Sequence, residues 1–193
     1  MMYYQITKAM KARKRIFMLI TIFAIICSLT LSVYATPPSA YQVSVPRVKQ
    51  EKTNWCWAAC SVSCIDYAKG SAPSQSSLVT TVKGSAVNEP ATLNEIQYGL
   101  GKYGVSSSVS LSYISFSTVK SEMYQYDSPF IVGWAWSGGG GHALVLYGYT
   151  DYANPYVRYL DPWDGSFNYV TYNYFKGGSS YDHTWFGSVR KIS

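Results

Sequence analysis

The pattern of apolar and polar positions changes character about two-thirds of the way along the chain. Up to residue 128 the apolar residues fall at helical spacings. Thr53 or Asn54 is placed to cap a helix running to about Lys69, with Gly70 as its stop. Ser71 to Ser77 is polar and reads as a loop. Thr92-Leu93-Asn94-Glu95 is a capping box, which opens a short helix through Tyr103 that Gly104 ends. Phe116, Val119, Lys120 and Met123 predict a further helix that closes before Ser128-Pro129.

Beyond Pro129 the helical spacing gives way to short aromatic and β-branched runs. These are Phe130–Trp136, His142–Tyr149, Tyr156–Leu160, Phe167–Tyr172 and Trp185–Lys191. Clusters of Gly, Asn, Asp and Pro bound them, which is the signature of antiparallel hairpins. Ser137-Gly138-Gly139-Gly140-Gly141 joins the first two and reads as a flexible linker. Helices first and strands afterwards imply an α+β fold rather than an alternating βαβ one.

Charge changes the picture at the N-terminus. The formal net charge is +6, yet residues 1–35 hold Lys8, Lys11, Arg13, Lys14 and Arg15 and no acid. The remainder carries 11 basic and 10 acidic residues, so the basic excess gives no support to nucleic-acid binding. Residues 1–35 instead read as a signal peptide. A basic stretch ends at Arg15, an uncharged apolar run follows to Ala35, and Val33 and Ala35 are small residues at the positions a signal peptidase reads. This predicts cleavage after Ala35, a secreted or cell-surface protein, and a single domain over residues 36–193. The apolar run is about 20 residues, also enough to span a bilayer, so an uncleaved anchor is the alternative. The membrane enters only through this segment. Residues 36–49, with Pro37, Pro38 and Pro46, read as an extended lead-in. About 20 residues before Cys56 are too few for a folded inhibitory pro-domain.

Three cysteines follow Ala35: Cys56, Cys60 and Cys64. They fall on one stripe of a single helix, a geometry that rarely suits a disulfide. No histidine lies near them in sequence to suggest a metal. Cys60 and Cys64 read as small buried apolar residues. Cys56 differs in its neighbours, with Gln50 six residues earlier and Trp57 directly after. It stands where a helix starts, and the partial positive charge of a helix N-terminus stabilises a thiolate.

A thiol needs partners. The chain has two histidines, His142 and His183. His183, in Tyr181-Asp182-His183-Thr184, reads as a solvated turn residue. His142 opens a predicted strand. Asp161 ends another, and Pro162 keeps it extended, so a hairpin can bring the two together. Asp164 and Asp151 read as turn formers, and Asn154 is a further candidate for the orienting role. A thiol, an imidazole, a carboxylate and the amide of Gln50 are the parts that nucleophilic acyl transfer requires.

Gln50, then Cys56-Trp57, then Gly141-His142-Ala143 leading into a strand that ends Tyr147-Gly148-Tyr149, resembles the papain-like cysteine peptidases. The small size, the short lead-in and Asp161-Pro162 in place of an asparagine resemble the bacterial C39-like and AvrRpt2- and staphopain-like subgroup. Val119-Lys120-Ser121-Glu122-Met123, followed by Ser128-Pro129-Phe130-Ile131-Val132, is similar to the helix and strand preceding the histidine in C39-like members. The resemblance covers residues 43–190. It implies an N-terminal helical lobe carrying the cysteine and a C-terminal antiparallel lobe carrying histidine and aspartate. It implies Cys56 as nucleophile, His142 as general base and acid, Asp161 as orienting carboxylate and Gln50 as oxyanion donor. The expected activity is exported endopeptidase hydrolysis of a protein or peptide through an acyl-enzyme, with no cofactor or metal. Another cysteine acyl-transfer enzyme, such as a peptidoglycan amidase or a transglutaminase-like protein, shares the same order of residues. A non-catalytic effector or binding protein on this scaffold is the third reading. Oligomeric state has no signal in the sequence.

Overall fold

The computed structural model describes residues 36–193 together with Met2; the export signal expected over residues 1–35 lies outside that description. In chain order the elements are β1 (Ala40–Gln42), α1 (Cys56–Lys69), α2 (Gln75–Lys83), α3 (Leu93–Lys102), β2 (Ser108–Ser110) and α4 (Phe116–Tyr126). Then come β3 (Phe130–Trp136), β4 (Gly141–Asp151), β5 (Pro155–Asp161), β6 (Ser166–Thr171), α5 (Tyr172–Lys176) and β7 (His183–Arg190). The fold is α+β, with helices gathered in the first half and an antiparallel sheet in the second.

The sheet runs β2-β7-β3-β4-β5-β6, and β1 adds to β4. The long β4 is its centre. Its first half pairs with β3, from Ala135↔Gly141 to Phe130↔Leu146, and its second half with β1. Both faces of the sheet are covered, so β3 is buried continuously from Phe130 to Trp134 rather than alternating with water. On one face Ile131, Val145, Leu160 and Val189 pack with Ala58 and Ile65 of α1 and with Leu78 and Leu100 of α2 and α3. On the other, Val132, Leu144 and Leu146 pack with Val119 and Met123 of α4 and Phe175 of α5. Each such Val, Leu, Ile, Met or Phe side chain, fully buried, contributes about 1.5–3 kcal/mol.

Several local expectations change. Ser71–Ser77 is not all loop, because Ser74 accepts from Ser77 N–H and starts α2, whose Leu78 and Val79 are buried. Ser137–Gly141 is a closed hairpin turn rather than a loose linker. Gly139 N–H donates to Trp136 O (3.0 Å), Trp136 N–H donates to Gly140 O (3.1 Å), and Gly139 and Gly140 take the positive φ values the turn needs. The capping box forms as expected, with Thr92 and Glu95 satisfying each other's backbone N–H groups.

Candidate active site

Helix α1 begins at Cys56 itself. Its N-cap is Trp55, which makes no side-chain cap, and its first turn contains no acid. The expected caps are engaged elsewhere. Thr53 Oγ1 accepts from Asn88 Nδ2 (2.8 Å), while Asn54 N–H donates to Asn88 Oδ1 (3.0 Å) and Asn54 Nδ2 to Asn88 O (2.9 Å). The first-turn N–H groups are thus left without a side-chain acceptor, which makes the Cys56 end of the helix favourable to negative charge. Two buried indoles secure the same loop. Trp55 Nε1 donates to Val87 O (2.8 Å) and Trp57 Nε1 to Glu89 O (3.0 Å), so Pro90 and Ala91 form a wall beside Cys56.

Sheet register brings the other two groups together. Side chains alternate along a strand, so His142 shares a face of β4 with Leu144, and Asp161 shares a face of β5 with Tyr159. Val145 pairs with Leu160, which sets Asp161 diagonal to His142. His142 Nε2 lies 2.7 Å from Asp161 Oδ1, with the side chains 10% and 26% exposed. Trp163 N–H donates to the same carboxylate oxygen (2.9 Å). Burial pushes the His142 imidazole down, but the Asp161 hydrogen bond and then the adjacent Cys56 outweigh it and raise the ring to about 9. These neighbours favour the charged form of the ring, with Nε2 toward Asp161 and the other nitrogen left for Cys56. Burial pushes the thiols of Cys60 and Cys64 well up, so they stay protonated and inert.

Gln50 is buried beside the Asp161 loop, and its backbone N–H donates to Pro162 O (2.7 Å). Its side-chain Nε2 donates to Lys52 O (2.8 Å) and Thr53 O (2.9 Å), and its Oε1 is buried without a partner. The opposite amide orientation would set an oxygen against both carbonyls, so this one stands. Asp164 accepts from Ser166 N–H (2.8 Å) and forms the turn before β6, away from His142.

Two cavities meet at Cys56 and His142. One, of about 270 Å³, is mainly apolar and is lined by Trp57, Ile96, Ile131, Gly133 and Phe186 among others. The other, of about 410 Å³, shares Cys56 and His142 with the first and is further lined by Asn54, Trp136, Asp161 and Trp163. Among the described residues, no cluster of His, Cys, Asp and Glu is arranged to hold a metal.

His183 is not the solvated turn residue expected from its polar neighbours. It is 1% exposed, opens β7, and pairs with Trp136. Tyr174 O (2.9 Å to Nε2) and the Asp182 carboxylate (2.7 Å to Nδ1) satisfy the ring, which makes its burial possible. Trp136 is the neighbour of His142 that sequence reasoning missed. Its signal was the Trp134-Ala135-Trp136 alternation in a strand whose hairpin partner begins with His142. The Pro90-Ala91 wall comes from a loop and has no comparable signal.

A cysteine at a helix start facing a histidine–aspartate pair on an antiparallel sheet defines the class: a papain-like cysteine peptidase. Within it, the chain belongs to the family described as papain-like cysteine protease AvrRpt2, whose model matches residues 38–179. No curated protein matches the chain. Two solved structures are similar in fold. One is a double glycine motif protease from an AMS/PCAT transporter, in complex with the leader peptide. It has a TM-score of 0.53 and 14% identity, over 77% of this chain and 91% of that one. The other is the peptidase domain of Streptococcus ComA, a bi-functional ABC transporter involved in a quorum sensing pathway. It has a TM-score of 0.53 and 19% identity, over 76% and 96% of the two chains.

Proposed function

We propose that this peptidase is an exported endopeptidase that cleaves polypeptides through an acyl-enzyme on Cys56. The observation that carries the reading is the 2.7 Å bond from His142 Nε2 to Asp161, which leaves the other ring nitrogen for the thiol. Cys56 attacks the scissile carbonyl as the thiolate, His142 returns a proton to the leaving amine, and water then releases the acyl group. Asp161 holds the ring and favours its charged form. The Cys56 backbone N–H is the first oxyanion donor. Gln50 is the second, and it serves once one of its two hydrogen bonds to the Lys52 and Thr53 carbonyls yields to the oxyanion.

Cleavage within a chain, rather than at its end, is supported by two cavities with different walls that meet at the Cys56–His142 pair. The apolar one suits an apolar substrate side chain next to the scissile bond. A peptide substrate also accords with the leader-peptide complex of the similar transporter protease. Export rests on the basic and then apolar residues 1–35 ending at Ala35.

The deciding experiment incubates the purified protein, beside Cys56→Ala, with a mixed peptide library, casein and cell-wall fragments. Internal cleavage of peptides that Cys56→Ala abolishes is the expected result. Release of cell-wall fragments without peptide cleavage would instead indicate an amidase. A Cys56 that reacts with no thiol-directed peptide epoxide would indicate a binding protein. N-terminal sequencing of secreted material, expected to begin at Thr36, tests export. Intact protein held in the membrane would mean an anchor.

A further inference from the structure

Between Gln42 and Cys56 the chain forms neither helix nor strand, so no regular ladder holds the backbone that carries Gln50. One side chain grips it instead. Gln75 Nε2 donates to Lys49 O (2.7 Å), and Gln75 Oε1 accepts from Glu51 N–H (3.1 Å). The two bonds fall on either side of Gln50, whose own N–H donates to Pro162 O. Turned the other way, the Gln75 amide would set its oxygen against a carbonyl and its NH₂ against an N–H. Only this orientation satisfies both loop atoms.

Gln75 is 4% exposed and is the first residue of α2. Ser74 caps that helix, and its Leu78 and Val79 pack in one core with Ala58 and Ile65 of α1. The loop is therefore tied to the helical layer by a side chain 24 and 26 residues from the backbone atoms it holds. Burying an amide is costly unless it is bonded, and these bonds go to the loop whose side chain is to meet an oxyanion. Gln75 lines neither cavity at Cys56, so its path to the chemistry runs through Gln50.

We propose that Gln75 is a positioning residue that grips the backbone on both sides of Gln50 and fixes the Gln50 amide where the oxyanion forms. The inference rests on the reading of Gln50 as the second oxyanion donor. Such a donor stabilises the transition state best when it is in place before charge develops. Gln50 Nε2 already donates to Lys52 O and Thr53 O, so a loosened loop would let it settle on those carbonyls and away from the oxyanion. A displacement of about 1 Å costs on the order of 10²-fold in rate. Removing a donor outright costs on the order of 10²–10³-fold, which bounds the effect of Gln75 from above.

The test makes Gln75→Met, Gln50→Ala and the double variant in the whole protein. Methionine matches glutamine in length but bonds neither Lys49 O nor Glu51 N–H. The readings are kcat and KM on one peptide, inhibition by a peptide aldehyde, and the rate at which iodoacetamide alkylates Cys56. Addition of the Cys56 thiolate to the aldehyde forms a C–S bond and puts the negative charge on the former carbonyl oxygen, in the oxyanion site; alkylation forms no oxyanion. Gln75→Met is expected to lower kcat on the order of 10²-fold and to weaken the aldehyde by a comparable factor, with KM and alkylation changed by less than about twofold. Added to Gln50→Ala, it should lower kcat by less than about a further twofold, because both changes disable one donor. Gln75→Ala admits water to both loop atoms without tying them to α2, and it takes methionine's place, with the same expectation, should methionine not fold. Unchanged kcat in a folded Gln75 variant, beside an impaired Gln50→Ala, overturns the proposal. So do losses that multiply in the double variant, a rise in KM alone, or alkylation that falls with kcat, which would make Gln75 a support of the whole site. Unchanged kcat in Gln50→Ala overturns the oxyanion reading beneath it, and activity that survives in Cys56→Ala overturns the catalytic reading.

Discussion

Replacing Asp161 tests the electrostatics of the site most directly. His142 is raised from 6.5 to about 9 although burial works against its charge, so the balance favours the imidazolium by about 3 kcal/mol. The Asp161 hydrogen bond is the first of the raising causes and the adjacent Cys56 the next. Removing the carboxylate leaves the burial in place, so the Asp161→Ala ring should lose its proton at lower pH than wild type. In the kcat/KM profile the alkaline limb, near pH 9 in the wild type, moves down. Alkylation of Cys56 by iodoacetate gives a second reading, because that anion is drawn in only while His142 is charged. Loss of the charge and of ring orientation together should lower kcat on the order of 10²–10⁴-fold, more than they alter KM. Asp161→Asn should fall less far, because its amide oxygen still accepts from Nε2. Asp164→Ala should stay near wild type, because that carboxylate serves only the turn to Ser166. An unmoved alkaline limb in folded Asp161→Ala, or a moved one in Asp164→Ala, refutes the reasoning.

Three further outcomes are expected. Iodoacetamide at pH 6, mapped by mass spectrometry, should label Cys56 well ahead of Cys60 and Cys64, whose burial keeps them protonated; equal labelling would remove Cys56 from its role. Gly133→Ala places a Cβ 2.6 Å from the ring tip of the half-exposed Phe186, so the ring should swing and reshape the apolar cavity. KM for substrates with an apolar residue beside the scissile bond should then change severalfold while Tm stays close, and an unchanged KM counts against that cavity as a substrate site. Folded His142 holds its proton more tightly than an unfolded histidine, so its stabilisation is complete below about pH 6.5 and is lost as pH rises through about 9. Tm should therefore fall between pH 7 and 9.5 in the wild type and fall less in Asp161→Ala. Tyr149, Tyr159 and Tyr172, raised to about 12 chiefly by burial, weaken the fold only as pH rises from about 10, where an unfolded tyrosine ionises, toward about 12, so they leave this window untouched.

What was legible in the sequence was whatever depends on near neighbours. The box from Thr92 to Glu95 closes within one helical turn, and Gly70 ends α1 by its own left-handed backbone. The strand runs are read from aromatic and β-branched residues, and five of the seven strands among the described residues follow from them. The two that do not, β1 and β2, are three residues each and exist only because β4 and β7 offer them an edge. His183 has polar neighbours, and only tertiary contacts reveal that Tyr174 O, Asp182 and Trp134 enclose it. The start of α1 shows most clearly why local rules fail at this site. Thr53 and Asn54 are sound caps by composition, and capping would satisfy the N–H groups that otherwise favour an anion. Asn88, 34 residues beyond Asn54, takes both of them up instead. The feature that suits Cys56 to hold a thiolate therefore depends on a long-range contact that no window around Cys56 contains.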